Sequence, residues 1–172
     1  MKSILLGLLL FLQPTNTFVN TNGGVQRLLT KTNVSFGQLV CNDVTCDSTI
    51  VIVPAKSKVV SVIADLTTTF ACTAVCTTAT LSFTAGKTAG GNQYLTTFDA
   101  DNAVLQRGLA DGDLGASINR ANAIQGGDTP SWSAATTISA RFTSGTGNIG
   151  NGTVTNLSQG NIVFYVVYEV LP

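Results

Sequence analysis

The chain has 172 residues and a mass of 17.8 kDa, the size of one domain that can bury a core of its own. Only 10% of its residues are charged and the net charge is zero, so it has no electrostatic attraction for nucleic acid or for an anionic membrane. Histidine is absent, which removes the commonest general base and metal ligand and argues against most hydrolases.

The first segment of the chain is a candidate leader. "MKSILLGLLLFLQPTNTF" carries Lys2, then an apolar run from Ile4 to Leu12, then a break at Pro14. This pattern is typical of a secretory signal, and the run is too short to cross a bilayer. No pattern of small residues marks a cleavage site before Phe18. A retained apolar arm, docked on its own domain or on a neighbour, is therefore the open alternative.

The next segment is polar and punctuated by glycine, which predicts an extended arm with one short strand near Val25 to Leu29. We therefore assign residues 1–47 to the leader and N-terminal arm, and residues 48–172 to a β-sandwich domain. Thr is frequent throughout the chain, and its branched Cβ suits a pleated surface.

Cysteines occur as two close pairs, Cys41 with Cys46 and Cys72 with Cys76. An even number at short spacing predicts two local disulfides, with buried free thiols as the alternative. A zinc site is disfavoured because the spacings C-x4-C and C-x3-C differ from the usual C-x2-C and no histidine assists.

Alternating strands begin at Ser48. "STIVIVPA" is a short apolar run that ends at Pro54, and "KVVSVIADLTTTF" places Val60 and Val62 on one face. "TATLSFTAG" and "TTISARFTSG" alternate in the same way, and Gly-rich turns separate them. Such strands predict an all-β fold: an antiparallel β-sandwich or jelly-roll.

The region from residue 92 to residue 130 is less regular. "YLTTFDADNAVL" predicts one more strand, and Leu114, Ile118 and Ala121 have the spacing of a short helix, the only helix we expect. Acidic residues in this region are candidates for a calcium site, but their tendency to form turns explains them better. These residues are Asp99, Asp101, Asp111 and Asp113.

The closing strand, "NIVFYVVYEVLP", is apolar on both faces. Its first face carries Ile162, Phe164, Val166, Tyr168 and Val170, and its second carries Val163, Tyr165 and Val167. A bare edge strand of this composition would aggregate, so we expect it in mid-sheet or under a contact, paired with a strand distant in sequence.

Three aromatic residues are candidates for an interface: Trp132, Tyr165 and Tyr168. Trp132 could equally fill the end of the sandwich core. Tyr165 and Tyr168 lie on opposite faces of one strand, so at least one of them could reach a subunit boundary. Ser57 and Lys58 make no catalytic dyad because adjacent strand residues point to opposite faces. We predict no catalytic residue, metal or cofactor, and no small-molecule substrate.

Five segments follow one another between Ser48 and Glu169: "IVIVPAKSKVVSVIADLTTTF", "TLSFTAG", "GGNQYL", "WSAATTISARF" and "NIVFYVVYE". Their pattern and order resemble small virion structural proteins of tailed bacteriophages. The resemblance implies a compact β-sandwich that serves as a capsid decoration or cement protein and binds the major capsid protein or other virion proteins. It carries over no catalytic residue. The apolar leader and the four cysteines depart from the pattern.

We therefore expect a non-enzymatic structural protein of a virus particle, and a homo-oligomer, since a net charge near zero permits association. A tail or fibre component is the alternative within the virion. The leader and the paired cysteines support a second alternative, a secreted cell-surface subunit of the pilus or adhesin kind with a cleaved signal peptide.

Overall fold

The structure is a computed structural model that describes residues 15–20, 25–73, 81–100, 134–145 and 147–172. Strands dominate it, and a 3-10 turn at Phe36–Gln38 is the one helical element in these ranges. The strands are β1 (Thr15–Asn20), β2 (Gln26–Ser35), β3 (Val40–Asp43), β4 (Thr45–Val53), β5 (Ser57–Cys72), β6 (Ser82–Gly86), β7 (Leu95–Asp99), β8 (Thr136–Thr143), β9 (Gly150–Gly152), β10 (Val154–Thr155) and β11 (Leu157–Val170).

Two antiparallel sheets build the fold. Sheet A has four strands in the order β1-β2-β11-β5, and sheet B has seven in the order β10-β9-β3-β4-β8-β6-β7. The hydroxyl of Thr32 in sheet A donates to the carbonyl oxygen of Ile50 in sheet B, over 2.7 Å. The predicted all-β, sandwich-like fold is confirmed.

Alternation of side chains explains why these segments form strands. In β8, Ile138, Ala140 and Phe142 are fully buried, while Ser139 and Arg141 between them are partly exposed. A strand turns successive side chains to opposite faces, so this period of two places one row in the core and one row at the surface.

The last strand, β11, lies in the middle of sheet A. Its Ile162 is opposite Val34 of β2 on one side and Leu66 of β5 on the other. Both partner strands are distant in sequence, as predicted for a strand that is apolar on both faces. Because β11 has a neighbour on each side, its backbone hydrogen-bonding groups are used within the sheet.

The core between the sheets contains a cluster of four aromatic rings. Phe142 of β8 lies 4.9 Å from Phe70 of β5 and 5.6 Å from Phe83 of β6, measured between ring centroids. Phe83 also meets Phe164 of β11 edge to face, at 5.8 Å. The cluster joins sheet A to sheet B, because two of its rings come from each.

Residues 25–47 differ from the predicted arm. Their strands pair with strands of the main body, since β2 lies beside β11 and β3 lies beside β4. Val34 and Leu39 are 1% exposed and belong to the core. This part of the chain is therefore integrated into both sheets. The predicted helix at Leu114 to Ala121 lies outside the described residues.

A β-bulge changes the predicted pattern of β5. The register steps from Val167 opposite Ser61 to Tyr168 opposite Val59, so one residue of β5 is extra at this point. Val59 is fully buried in consequence, and Val60 is only partly buried. The predicted face that joined Val60 to Val62 is therefore wrong at Val60.

Candidate functional site

The outer face of sheet A carries an apolar surface. Directly opposite residues of paired strands share a face, so the register identifies its members. We call this surface the apolar stripe, and it consists of Leu29, Ile63, Val163, Tyr165 and Val167. All are partly exposed except Val163, which is 7% exposed.

Charged side chains border one end of the apolar stripe. Glu169 of β11 lies opposite Arg27 of β2 and Lys58 of β5, so the three form a row across the sheet. Arg27 Nε donates to Glu169 Oε1 over 3.0 Å, and Arg27 Nη2 donates to the same oxygen. Arg27 is 41% exposed, so this ion pair contributes little to stability and serves mainly to fix the positions of its charges.

Tyr165 lies in the apolar stripe, whereas Tyr168 lies in the core. The Nζ atom of Lys31 sits 5.8 Å from the centroid of the Tyr165 ring, the range of a cation–π contact. Tyr168 is 5% exposed and packs on the other face of β11. Of the two tyrosines proposed for an interface, the structure therefore leaves Tyr165 available. Trp132, the third candidate, lies outside the described residues.

Asp65 lies at the opposite end of the apolar stripe, across from Val163. Its Oδ1 atom is buried and has no hydrogen-bond partner in the part of the chain that the structure describes. A buried carboxylate oxygen without a donor has an unfavourable energy, because it has lost water and gained nothing in exchange. Asp65 is therefore a candidate for contact with a group outside the described residues.

The outer face of sheet B contains a different arrangement. Arg141 binds Asp47 through two hydrogen bonds, Nε to Oδ1 and Nη2 to Oδ2, each 2.7 Å long. The hydrogen bonding of the Arg141 guanidinium to the Asp47 carboxylate is the main cause that raises the pKa of Arg141 above its ordinary value. Beside the pair is a shallow depression of about 210 Å³, lined by Gln38, Val40, Asp47, Ser48, Thr49 and Ser139.

Exposed apolar residues also occur on sheet B, but they are separated along the strands. Val40 is 57% exposed on β3 and Ile52 is 63% exposed on β4. Single exposed apolar side chains are normal on protein surfaces. The apolar stripe on sheet A differs because its members are neighbours on three adjacent strands, β2, β11 and β5.

Three cysteines in the described residues are disulfide-bonded. Cys41 of β3 is bonded to Cys46 of β4, and the two residues are direct neighbours across the hairpin. Cys72 is also disulfide-bonded. Cys76, the second member of that sequence pair, lies outside the described residues. Disulfide-bonded cysteines are typical of proteins that fold in an oxidising environment.

Removal of the hairpin disulfide gives a first testable prediction. We expect the Cys41→Ser, Cys46→Ser variant to lose about 2 kcal/mol of unfolding free energy, because the bond closes a short loop in the unfolded chain. Denaturant unfolding of both proteins under oxidising conditions measures the loss. Equal midpoints for the variant and the parent would contradict it.

Side chains that could bind a metal do not cluster in the described part of the chain. There, no three side chains of Asp, Glu or Cys are placed to share a metal ion, and no helix is long and apolar enough to cross a membrane. Asp99 is exposed, while Asp101, Asp111 and Asp113 lie outside the described ranges.

Sequence reasoning missed the pair of Arg141 and Asp47. Each is the one charged residue of its strand, which was the available signal, but the sequence does not give the pairing of β4 with β8. No protein-family model, curated protein or solved structure matches this chain. Its function must therefore be inferred from its own surfaces.

Proposed function

We propose that this chain is a non-enzymatic structural protein of a virus particle, a capsid decoration or cement subunit. The apolar stripe on sheet A is the observation that carries the proposal. Apolar side chains grouped on the water-facing side of a sheet, with charges at their border, are typical of a protein contact. The resemblance of residues 48–169 to virion proteins supports the location of this chain in a virus particle.

The apolar stripe can bind a partner protein through complementary shape and through the burial of apolar surface. Tyr165 provides the large, rigid contact area that interface centres favour, and Val167 and Leu29 extend it on one side. The charged row at Arg27 and Glu169 then acts as a polar rim. Its partner in the proposal is the major capsid protein or another virion protein, and a repeating lattice strengthens such binding through multivalency.

The second prediction concerns particle binding by the apolar stripe. Val167→Asp places a charge within the apolar stripe, and we expect at least about a tenfold loss of affinity for particles that lack the chain. The control is Ile52→Asp, the same kind of change on the outer face of sheet B, where Ile52 is 63% exposed. Co-sedimentation of purified protein with particles measures both.

Mass spectrometry of purified particles tests the location independently. The chain should be present in many copies, and its absence from particles would refute the proposed function. Equal binding by Val167→Asp and Ile52→Asp would instead refute the assignment of the contact to the apolar stripe. Labelling of particles with an antibody separates a head position from the tail or fibre alternative.

The disulfides favour one competing function, a secreted cell-surface subunit of the pilus or adhesin kind. Cys41 and Cys46 are bonded, and Cys72 is bonded as well, as in many secreted proteins. N-terminal sequencing of the mature protein decides between the two. A start near Phe18 with the disulfides closed supports secretion, while a start at Met1 or Lys2 supports the virion protein.

A further inference from the structure

The shallow depression beside Asp47 lies on the outer face of sheet B, where β3 stops pairing with β4. The pairing ends at Val40, opposite Asp47, and on the N-terminal side of Val40 the chain forms the 3-10 turn that ends at Gln38. Gln38 and Val40 line the depression together with residues of β4 and β8. We call this feature the polar depression, and its lining residues are Gln38, Val40, Asp47, Ser48, Thr49 and Ser139.

The register of β4 with β8 brings hydroxyl groups next to the Asp47 carboxylate. Thr49 of β4 lies directly opposite Ser139 of β8. Two residues further along the same strands, Asp47 lies opposite Arg141. Directly opposite residues share a face, as do residues two apart on one strand, so these side chains lie together. Thr49 is exposed and the Asp47 side chain is 37% exposed, so both groups can meet a ligand from solvent.

These polar groups have hydrogen-bonding capacity left for a ligand. A serine or threonine hydroxyl can both donate and accept. A carboxylate has about four acceptor positions, and Arg141 takes one on each oxygen of Asp47, so about two are left. Gln38 Oε1 accepts from the backbone N–H of Ser35 over 2.9 Å, which leaves the amide nitrogen of Gln38 to donate. The polar depression can therefore both donate to and accept from one ligand.

Charge is balanced at the polar depression. Asp47 is the one charged residue among the described side chains that line it, and Arg141 beside it carries the opposite charge. An anionic ligand would be repelled by the carboxylate. A cationic ligand would compete with a guanidinium that already holds both carboxylate oxygens. A neutral ligand with several hydroxyl groups meets neither obstacle.

We propose that the polar depression binds one ring of a neutral saccharide. Hydroxyl groups on adjacent ring carbons can donate to Asp47 and exchange hydrogen bonds with Thr49 and Ser139. Val40, which is 57% exposed, offers methyl groups to the apolar C–H face of the ring. The volume of about 210 Å³ is below the roughly 300–1,000 Å³ of pockets for drug-sized ligands, so a single ring is bound and the rest of a glycan stays in solvent.

Saccharide binding goes beyond the proposed function, because it uses the other sheet. The apolar stripe lies on the outer face of sheet A, and the polar depression lies on the outer face of sheet B. A subunit held to a particle through the apolar stripe therefore turns the polar depression outward, towards the glycans of a cell surface. A shallow site for one ring binds weakly, with a Kd of about 1 mM or more, and many copies on one particle compensate through multivalency.

Titration of the full-length protein with neutral methyl glycosides tests the proposal. The probes are the methyl glycosides of glucose, galactose, mannose and N-acetylglucosamine, and amide chemical shifts of isotope-labelled protein report where they bind. At least one probe should give saturable shifts that centre on Thr49 and Ser139. Thr49→Val and Ser139→Ala should each weaken that binding about three- to tenfold, because each removes a hydrogen bond to the ring.

The control is Thr68→Val, the same change at an exposed threonine on β5 of sheet A. Its Kd should equal that of the parent, and amide spectra verify that each variant is folded. The proposal is overturned if no probe shifts the amides of the polar depression at about 50 mM, far above a millimolar Kd. Binding by Thr49→Val and Ser139→Ala that is as tight as that of the parent overturns it as well.

These outcomes are independent of the test of the proposed function. A chain that binds glycosides but never occurs in particles would refute the virion role and leave the saccharide site standing. A chain that decorates particles but binds no probe would do the reverse.

Discussion

Truncation after Asn156 is expected to abolish cooperative folding, because it removes β11. That strand lies between β2 and β5, so its loss divides sheet A into parts that no longer touch. It also removes fully buried side chains, among them Ile162, Phe164 and Val166. Each buried side chain of this size contributes about 1.5–3 kcal/mol, and together they rival the 5–15 kcal/mol of a typical domain.

Circular dichroism and proteolysis measure the result of the truncation. The shortened chain should show no sharp unfolding transition and should be cut rapidly, whereas the parent resists. The matched control removes only Pro172, which is exposed and lies beyond the last strand, and it should behave as the parent does. A truncated chain that still unfolds in one cooperative step would show that β11 is dispensable.

Gly160→Ala is expected to cost about 3 kcal/mol or more of unfolding free energy, from steric overlap and backbone strain together. Gly160 lies in β11 where the register to β5 is irregular, and its φ is +142°. A Cβ atom at this position would come within 2.2 Å of the Phe70 ring. The Phe70 ring packs directly against Gly160, so the aromatic cluster can form only because residue 160 has no Cβ atom.

Denaturant unfolding tests this prediction, with Gly37→Ala as the matched control. A Cβ at Gly37 would meet nothing within 4 Å, so this variant should stay within about 0.5 kcal/mol of the parent. The double variant Gly160→Ala, Phe70→Ala should lose less stability than the sum of its single changes, because the clashing ring is gone. Additive losses, or a Gly160→Ala protein as stable as the parent, would refute the close packing.

Local alternation made much of the fold predictable from the sequence. Leu81, Phe83 and Ala85 are buried as expected, and so are Ile138 and Phe142, because the period of two depends only on neighbouring residues. The position of β11 inside a sheet also followed from its two apolar faces. The bulge near Val60 did not follow, since it arises from the fit between β5 and β11 rather than from either strand.

The candidate site was predictable only in part. Alternation places Tyr165 and Tyr168 on opposite faces, but it does not say which face is the core. That choice depends on the register of β11 with β2, which brings Val167 beside Leu29 over a large separation in sequence. For the same reason the sequence did not reveal that residues 26–35 belong to sheet A, because their partner strand β11 lies more than a hundred residues later in the chain.

The central place of β11 also governs how the protein is made. A ribosome translates β2 and β5 well before the strand that joins them, so the edges of β2 and β5 that pair with β11 stay open until β11 has been made. Sheets that depend on such long-range pairing fold slowly, and their waiting strands are prone to aggregate. We therefore expect the nascent chain to need chaperones. The yield of folded protein should fall when the chain is synthesised faster than chaperones can bind it.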